Sequence, residues 1–188
     1  MSRLVEPPQI MVVSVVDHAP VPEPRGHPYI GAGGRPAIRP GQDANRTIDP
    51  WKEALRLQGT VASLLTGRAR PVHDQGAPLV VSYQFWLPRP EGHFRTGIYR
   101  HLLKPTAPPY PVAVCRSDLD NLIKAAQDAL GDWKKKRSIA WHDDAQIVGY
   151  DDTWKRYADD DHPMGVTIII EPAPALEPGN YDSRRQQS

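Results

Sequence analysis

Apolar and polar positions along the chain divide it into short β-type runs and two helical stretches. Ile10-Met11-Val12-Val13-Ser14-Val15-Val16 is β-branched and short, and it predicts a first strand. The Pro- and Gly-rich stretch from Pro20 to Gly41 then reads as an irregular basic loop. Asp49-Pro50 places a capping residue before a proline suited to a first helical position. Trp51, Leu55, Gln58, Ala62 and Leu65, with Gly67 beyond, predict a helix over about 50–65. Leu79–Leu87 (LVVSYQFWL), bracketed by Pro78 and Pro88, predicts a central strand. Residues 89–110 show no period and read as a long loop, and Val112–Cys115 as a short strand leading to Asp118.

From Asp120 to Leu130 the periodicity changes to that of a helix. Leu122, Ile123, Ala126, Ala129 and Leu130 share one face, while Asp120, Lys124 and Asp128 follow one another at four-residue steps on the opposite face. Ile147–Tyr150 and Val166–Ile170 predict two closing strands, and 171–188 a frayed polar tail. The expectation is one α+β domain over 1–170, a small mixed sheet packed by two main helices.

Composition adds three things to this outline. The 21 prolines exceed the usual ~5% and imply long extended connections through the core. The formal charge of +1 conceals an asymmetry: 12 Lys/Arg against 5 Asp/Glu lie between Arg25 and Lys104, whereas 11 acidic residues lie between Asp118 and Asp161. A basic surface beside an acidic pole suits a protein that grips phosphates and holds a cation. The single Cys115 excludes an internal disulfide and a thiolate cluster, and the longest early apolar run is too short for a membrane span, so a cytoplasmic setting is expected.

The chemistry concentrates in Asp118-x-Asp120-Asn121-x-x-Lys124, answered by Asp143-Asp144-x-Gln146. Carboxylates at alternate positions, joined by others after a helix, are the hard oxygen donors that Mg²⁺ prefers, and Lys124 supplies a cation for developing phosphate charge. Strand end, helix start and next strand start commonly meet at one sheet edge, where clustered carboxylates require a cation. Each piece also has a plainer explanation: Asp120 as a helix cap, Lys124 as a surface ion-pair partner, Asp143 and Asp144 as turn residues. His142 reads as a surface residue beside the acidic pair, and Asp159–Asp161 with His162 as a solvated turn. Trp133 and Trp141 read as packing onto the fold.

These residues resemble the RusA family of Holliday-junction resolvases, many of them carried by phages and prophages. The resemblance is carried by Asp118-Leu119-Asp120-Asn121-Leu122-x-Lys124-Ala125-x-x-Asp128-Ala129-Leu130 and Trp141-x-Asp143-Asp144-x-Gln146-Ile147-Val148. His93-Phe94-Arg95-Thr96-Gly97 and Lys104-Pro105 agree more weakly, and the link from Leu130 to Asp143 is longer and more basic than the family's usual one. The resemblance implies an α/β homodimer that binds a four-way DNA junction and nicks it in pairs with Mg²⁺, Mn²⁺ being an alternative ion. It assigns catalysis to Asp118, Asp120, Lys124 and Asp144, and metal binding to Asp118, Asp120 and Asp144, with Asp143 a weaker candidate. The basic residues Arg25, Arg35, Arg39, Lys104, Arg116, Lys134, Lys135 and Lys136 are candidate DNA contacts. A metal-dependent nucleotide phosphohydrolase, a DxD sugar-nucleotide transferase and a noncatalytic junction-binding protein are the rivals. The apolar strand Leu79–Leu87 or the closing strand Val166–Ile170 is expected to supply the dimer interface.

Overall fold

The computed structural model describes residues 10–22, 27–30, 36–39, 45–112, 118–131 and 138–175, with backbone alone at 27–30, 36–39 and 45–49. A five-stranded mixed sheet forms the centre. Strand β1 (Met11–Val16) pairs antiparallel with β7 (Gly165–Pro172), and β7 pairs antiparallel with β4 (Leu79–Leu87). On its other side β4 carries two short parallel strands. β5 (Ile147–Tyr150) lies along its beginning, with Leu79 opposite Ile147, and β6 (Trp154–Tyr157) along its end, with Leu87 opposite Tyr157. A separate hairpin pairs β2 (His27–Ile30) with β3 (Pro36–Arg39). The fold is thus α+β, as the pattern of runs predicts.

The helices pack on one face of the sheet. Helix α1 (Asn45–Leu65) buries Trp51 and Leu55, and α2 (Leu119–Leu130) buries Leu122, Ala125, Ala126, Ala129 and Leu130. They meet Met11, Val13 and Val15 of β1, the alternate residues Leu79, Val81, Tyr83, Phe85 and Leu87 of β4, and Ile168 and Ile170 of β7. The period-2 alternation of β1, buried at odd positions and exposed at even ones, is what one-sided packing requires. Gly59 lets the helices approach, since a Cβ there would stand 2.7 Å from Leu130 Cδ2.

Several boundaries depart from the sequence expectation. Helix α1 begins at Asn45, one turn before Pro50, because a proline near the start of a helix forfeits a single hydrogen bond while its fixed φ remains helical. The stretch from Pro20 to Gly41 holds the β2–β3 hairpin as well as loop, and β6 is an additional strand. β6 reads poorly in isolation because Trp154–Tyr157 lacks clean alternation, and its pairing with β4 is non-local. The predicted strand at 112–115 lies outside the described residues apart from Val112, which is not in a strand, and so do Trp133 and 176–188 of the tail. β4 and β7, the alternative strands for a dimer interface, are interior to the sheet, with both edges paired. Among the described residues no helix is long and apolar enough to cross a membrane.

Candidate active site

Helix α2 organises the site, and its two ends carry different groups. Asp118 is the N-cap residue, with extended backbone, and its carbonyl accepts the Leu122 amide at 3.1 Å. Its carboxylate makes no capping bond to the first turn, so the plain capping role does not occupy it. Asp120, in that first turn, is exposed. Both residues therefore belong to the N-terminal end of the helix, where its dipole favours negative charge.

One turn further on, Lys124 lies 3.3 Å from Asp128 Oδ2 as a surface pair. The same oxygen is met at 3.4 Å by Lys52 of α1, whose side chain is only 12% exposed. Lys52 has no signal in the linear pattern, because the α1–α2 contact that brings it to Asp128 spans 76 residues.

Asp143 and Asp144 stand at the opposite end of α2. They open a 3-10 turn, Asp144–Gln146, in which Asp143 accepts the Ala145 amide at 2.8 Å, and Gln146 Oε1 accepts the amides of His142 at 2.7 Å and Asp143 at 3.1 Å. The Gln146 amide nitrogen then donates to the carbonyls of Asp74 and Ala77, bolting this turn to the segment before β4. Asp143 is thereby a turn-capping residue. Asp144 accepts the Trp141 indole N–H on Oδ1 at 2.9 Å. Both press on Gly131, the C-cap of α2, where a Cβ would overlap Trp141 Nε1 and lie 3.0 Å from Asp144 Oδ1.

Asp144 is therefore separated from Asp118 by the whole of α2, about 18 Å for twelve residues. This corrects the expectation that strand end, helix start and next strand start meet at one edge. β5 starts opposite the first residue of β4, whereas α2 runs back along β4 and ends where β5 starts. Among the described residues no three His, Cys, Asp or Glu side chains are gathered to hold a metal ion.

Between α2 and the sheet lies a small polar contact. Gln127 donates to the Tyr150 hydroxyl at 2.8 Å, and the Tyr150 ring stands 6.0 Å from that of Tyr83. Burial pushes the Tyr83 phenol far above its ordinary value, with Tyr150 and Asp144 adding to the effect, so this hydroxyl stays protonated. Tyr83, Gln127 and Tyr150 were not marked by spacing, since their meeting depends on the register of β4 with β5.

Of the basic candidates, Lys104 is described: its Nζ donates to the Gly92 carbonyl at 2.7 Å, which gives it a structural task in an exposed position. Arg39 ends β3 opposite His27. Arg25, Arg35, Arg116, Lys134, Lys135 and Lys136 lie outside the described residues, as does Cys115. His142 is half-buried beside the turn. The acidic run near His162 is a closed turn, in which Asp159 Oδ1 accepts the amides of Asp161 and His162 and pairs with the His162 ring at 2.8 Å.

A family model described as endodeoxyribonuclease RusA matches residues 31–171, a span that includes α1, α2, the carboxylates at both of its ends, β4–β6 and all but the last residue of β7. No curated protein matches the chain.

Proposed function

The chain belongs to the RusA endodeoxyribonuclease family, and from that premise we propose that it resolves four-way DNA junctions by paired, divalent-metal-dependent nicks. The observation that carries the reading is the pair Asp118 and Asp120 at the N-terminal end of α2, one exposed and neither committed to capping that helix. Two carboxylates with the remaining positions left to water and phosphate oxygens suit Mg²⁺, which is commonly held by one or two carboxylates and keeps several waters. They would hold the ion. Held there, an ion would supply Lewis acidity to a bound water and to the scissile phosphate. Lys124, a turn beyond Asp120 and paired at the surface with Asp128, would leave that pair to offer its ammonium to the charge that develops on the phosphate as the bond breaks.

Asp144 enters through a second copy of the chain. Paired incisions on opposed strands need two equivalent sites, hence a twofold dimer. The length of α2 supports the same arrangement, because Asp144 of one chain stands at the far end of the helix from Asp118 and Asp120 of that chain. Two chains with antiparallel α2 helices would set Asp144 of each beside the N-terminal carboxylates of the other.

The test is a nicking assay on a four-way junction and on linear duplex, with Mg²⁺ and with chelator, for the wild type and Asp120→Asn. The expected result is symmetric junction cleavage that needs Mg²⁺ and is lost in the variant. Junction cleavage that persists in chelator, or full activity of Asp120→Asn, would sink the assignment.

A further inference from the structure

Residues 91–104 form a projecting lobe at the end of β4, and the lobe is tied tightly enough to hold a shape. Arg95 donates its amide to Leu102 at 2.9 Å, Lys104 to His93 at 2.8 Å, and Leu102 to Tyr99 at 2.9 Å, with Phe94 bridged to Leu103. Lys104 Nζ closes the base on the Gly92 carbonyl. Gly97 takes the left-handed conformation, φ +66, at the turn. The root is anchored by Arg89, whose guanidinium lies 4.1 Å over the Tyr157 ring, and by His93 against the edge of that ring.

This lobe presents apolar and cationic side chains side by side. Ile98 is 80% exposed and Tyr99 54%, and they stand at the tip between the exposed cations Arg95 and Arg100. The segment holds three Lys/Arg against the single acid Glu91. An apolar partner would satisfy Ile98 and Tyr99 but leave the guanidinium groups without anions. A phosphate backbone alone would satisfy the cations but leave the apolar tip in water. Nucleic acid with an accessible base face answers both, because aromatic and aliphatic side chains stack on bases while arginines hold the adjoining phosphates.

The lobe also lies at the sheet end nearer the N-terminal end of α2, which carries Asp118 and Asp120. Gln127 of α2 meets Tyr150 beside Tyr83 in mid β4, and Gly131 meets Asp144 ahead of the residue that pairs with Leu79. Helix α2 therefore runs antiparallel to β4, and Asp118 lies toward the end of β4 that carries the lobe.

We propose that residues 91–104 read the branch point: Ile98 and Tyr99 enter it against base faces that a continuous duplex keeps stacked, and Arg95 and Arg100 hold the flanking phosphates. The proposal rests on the junction-nuclease reading above. Its test is the double variant Ile98→Ala with Tyr99→Ala, both exposed positions, checked for an unchanged thermal midpoint. Binding is measured in chelator to a four-way junction with 2-aminopurine at the branch point and to a linear duplex of equal length.

The expected result is a loss of about tenfold or more in junction affinity. Duplex affinity should stay within twofold, and the branch-point fluorescence change seen with the wild type should disappear. Arg95→Gln and Arg100→Gln should weaken both substrates and each lower the salt slope by about 1. Unchanged junction affinity of the double variant, or an equal loss on both substrates, overturns the proposal. So does a change in its mass by light scattering, which would make the tip a protein contact. A wild type that shows no preference for the junction would instead sink the underlying reading, and the lobe's role with it.

Discussion

Trp141 donates its indole N–H to Asp144 at 2.9 Å, and the ring that does so is fully buried against the C-terminal end of α2. The exposed carboxylate is thus aimed by a core residue. Outer partners of this kind typically tune metal affinity or activity by about 10–100-fold. Trp141→Phe is expected to keep the ring packing but lose the aim: turnover falls about tenfold or more, and more Mg²⁺ is needed for half-maximal rate. Junction binding in chelator should not change. A Mg²⁺ titration of cleavage by the variant checks this, and a wild-type midpoint would remove Trp141 from the site.

Gly131→Ala tests the same contact from the helix side. Gly131 has φ −116, an ordinary value, so its need for hydrogen comes from the overlap of a Cβ with Trp141 Nε1 and its close approach to Asp144 Oδ1. Trp141 cannot move outward from its buried seat, and overpacking of this kind costs about 1–3 kcal/mol. Denaturant unfolding should show that loss, together with reduced cleavage. A variant as stable as the wild type would mean that the 138–146 segment yields easily.

Mixing two inactive variants separates a site within one chain from a site shared by two. Asp120→Asn and Asp144→Asn should each abolish cleavage, since each removes a carboxylate from the proposed set. In a mixed dimer with shared sites, both substitutions fall in one site and the other is intact. The mixture should therefore nick one strand of the junction. No recovered activity after subunit exchange, verified by mass, would place the whole set in a single chain.

Lys124 and Lys52 meet the same carboxylate, Asp128, but from different environments. Lys124 is exposed, and its surface pair is worth only ~0.5 kcal/mol. Lys124→Met should leave stability nearly unchanged and reduce turnover by on the order of 10²-fold. Lys52→Met, in contrast, should lower the thermal midpoint by removing a mostly buried ammonium, with a smaller effect on turnover. Measuring both quantities for both variants checks the division, and a loss of affinity alone in Lys124→Met would make that residue a phosphate anchor.

Alkaline pH should loosen the fold through Tyr83. Its phenol is raised by burial above the ordinary value of 10.0, so the unfolded chain ionises first as pH rises. Stability from this group is fully present below pH ~10 and is lost as pH climbs past that value toward the folded one. Tyr83→Phe should differ from the wild type by less than about 1 kcal/mol at pH 8 but lose less stability between pH 9.5 and 11. Parallel curves for the two proteins across that range would mean that the phenol contributes no linkage.

Much of the architecture was legible in the linear pattern. The alternation of β1, the bracketed apolar run of β4 and the apolar face of α2 each encode their own burial, because side-chain period and backbone geometry are local properties. The pattern starts α1 at Pro50 and the fold at Asn45, because a proline tolerated inside the start of a helix looks the same in sequence as one at its first position. β6 was invisible because its partner lies some 70 residues away in β4.

The sequence by itself determined which residues are candidates for the chemistry: the paired carboxylates, the lysine one turn on and the acidic turn after the helix form a pattern that distance in the fold does not alter. Tertiary structure alone decided where they stand. The direction of α2 along β4 and the parallel start of β5 put Asp144 at one end of the helix and Asp118 with Asp120 at the other. The same packing brought Lys52 to Asp128 and Trp141 to Asp144, and it set the apolar tip of the lobe in solvent. A linear pattern specifies faces and turns, whereas the separation of two groups depends on how elements cross, and that is settled by packing between distant parts of the chain.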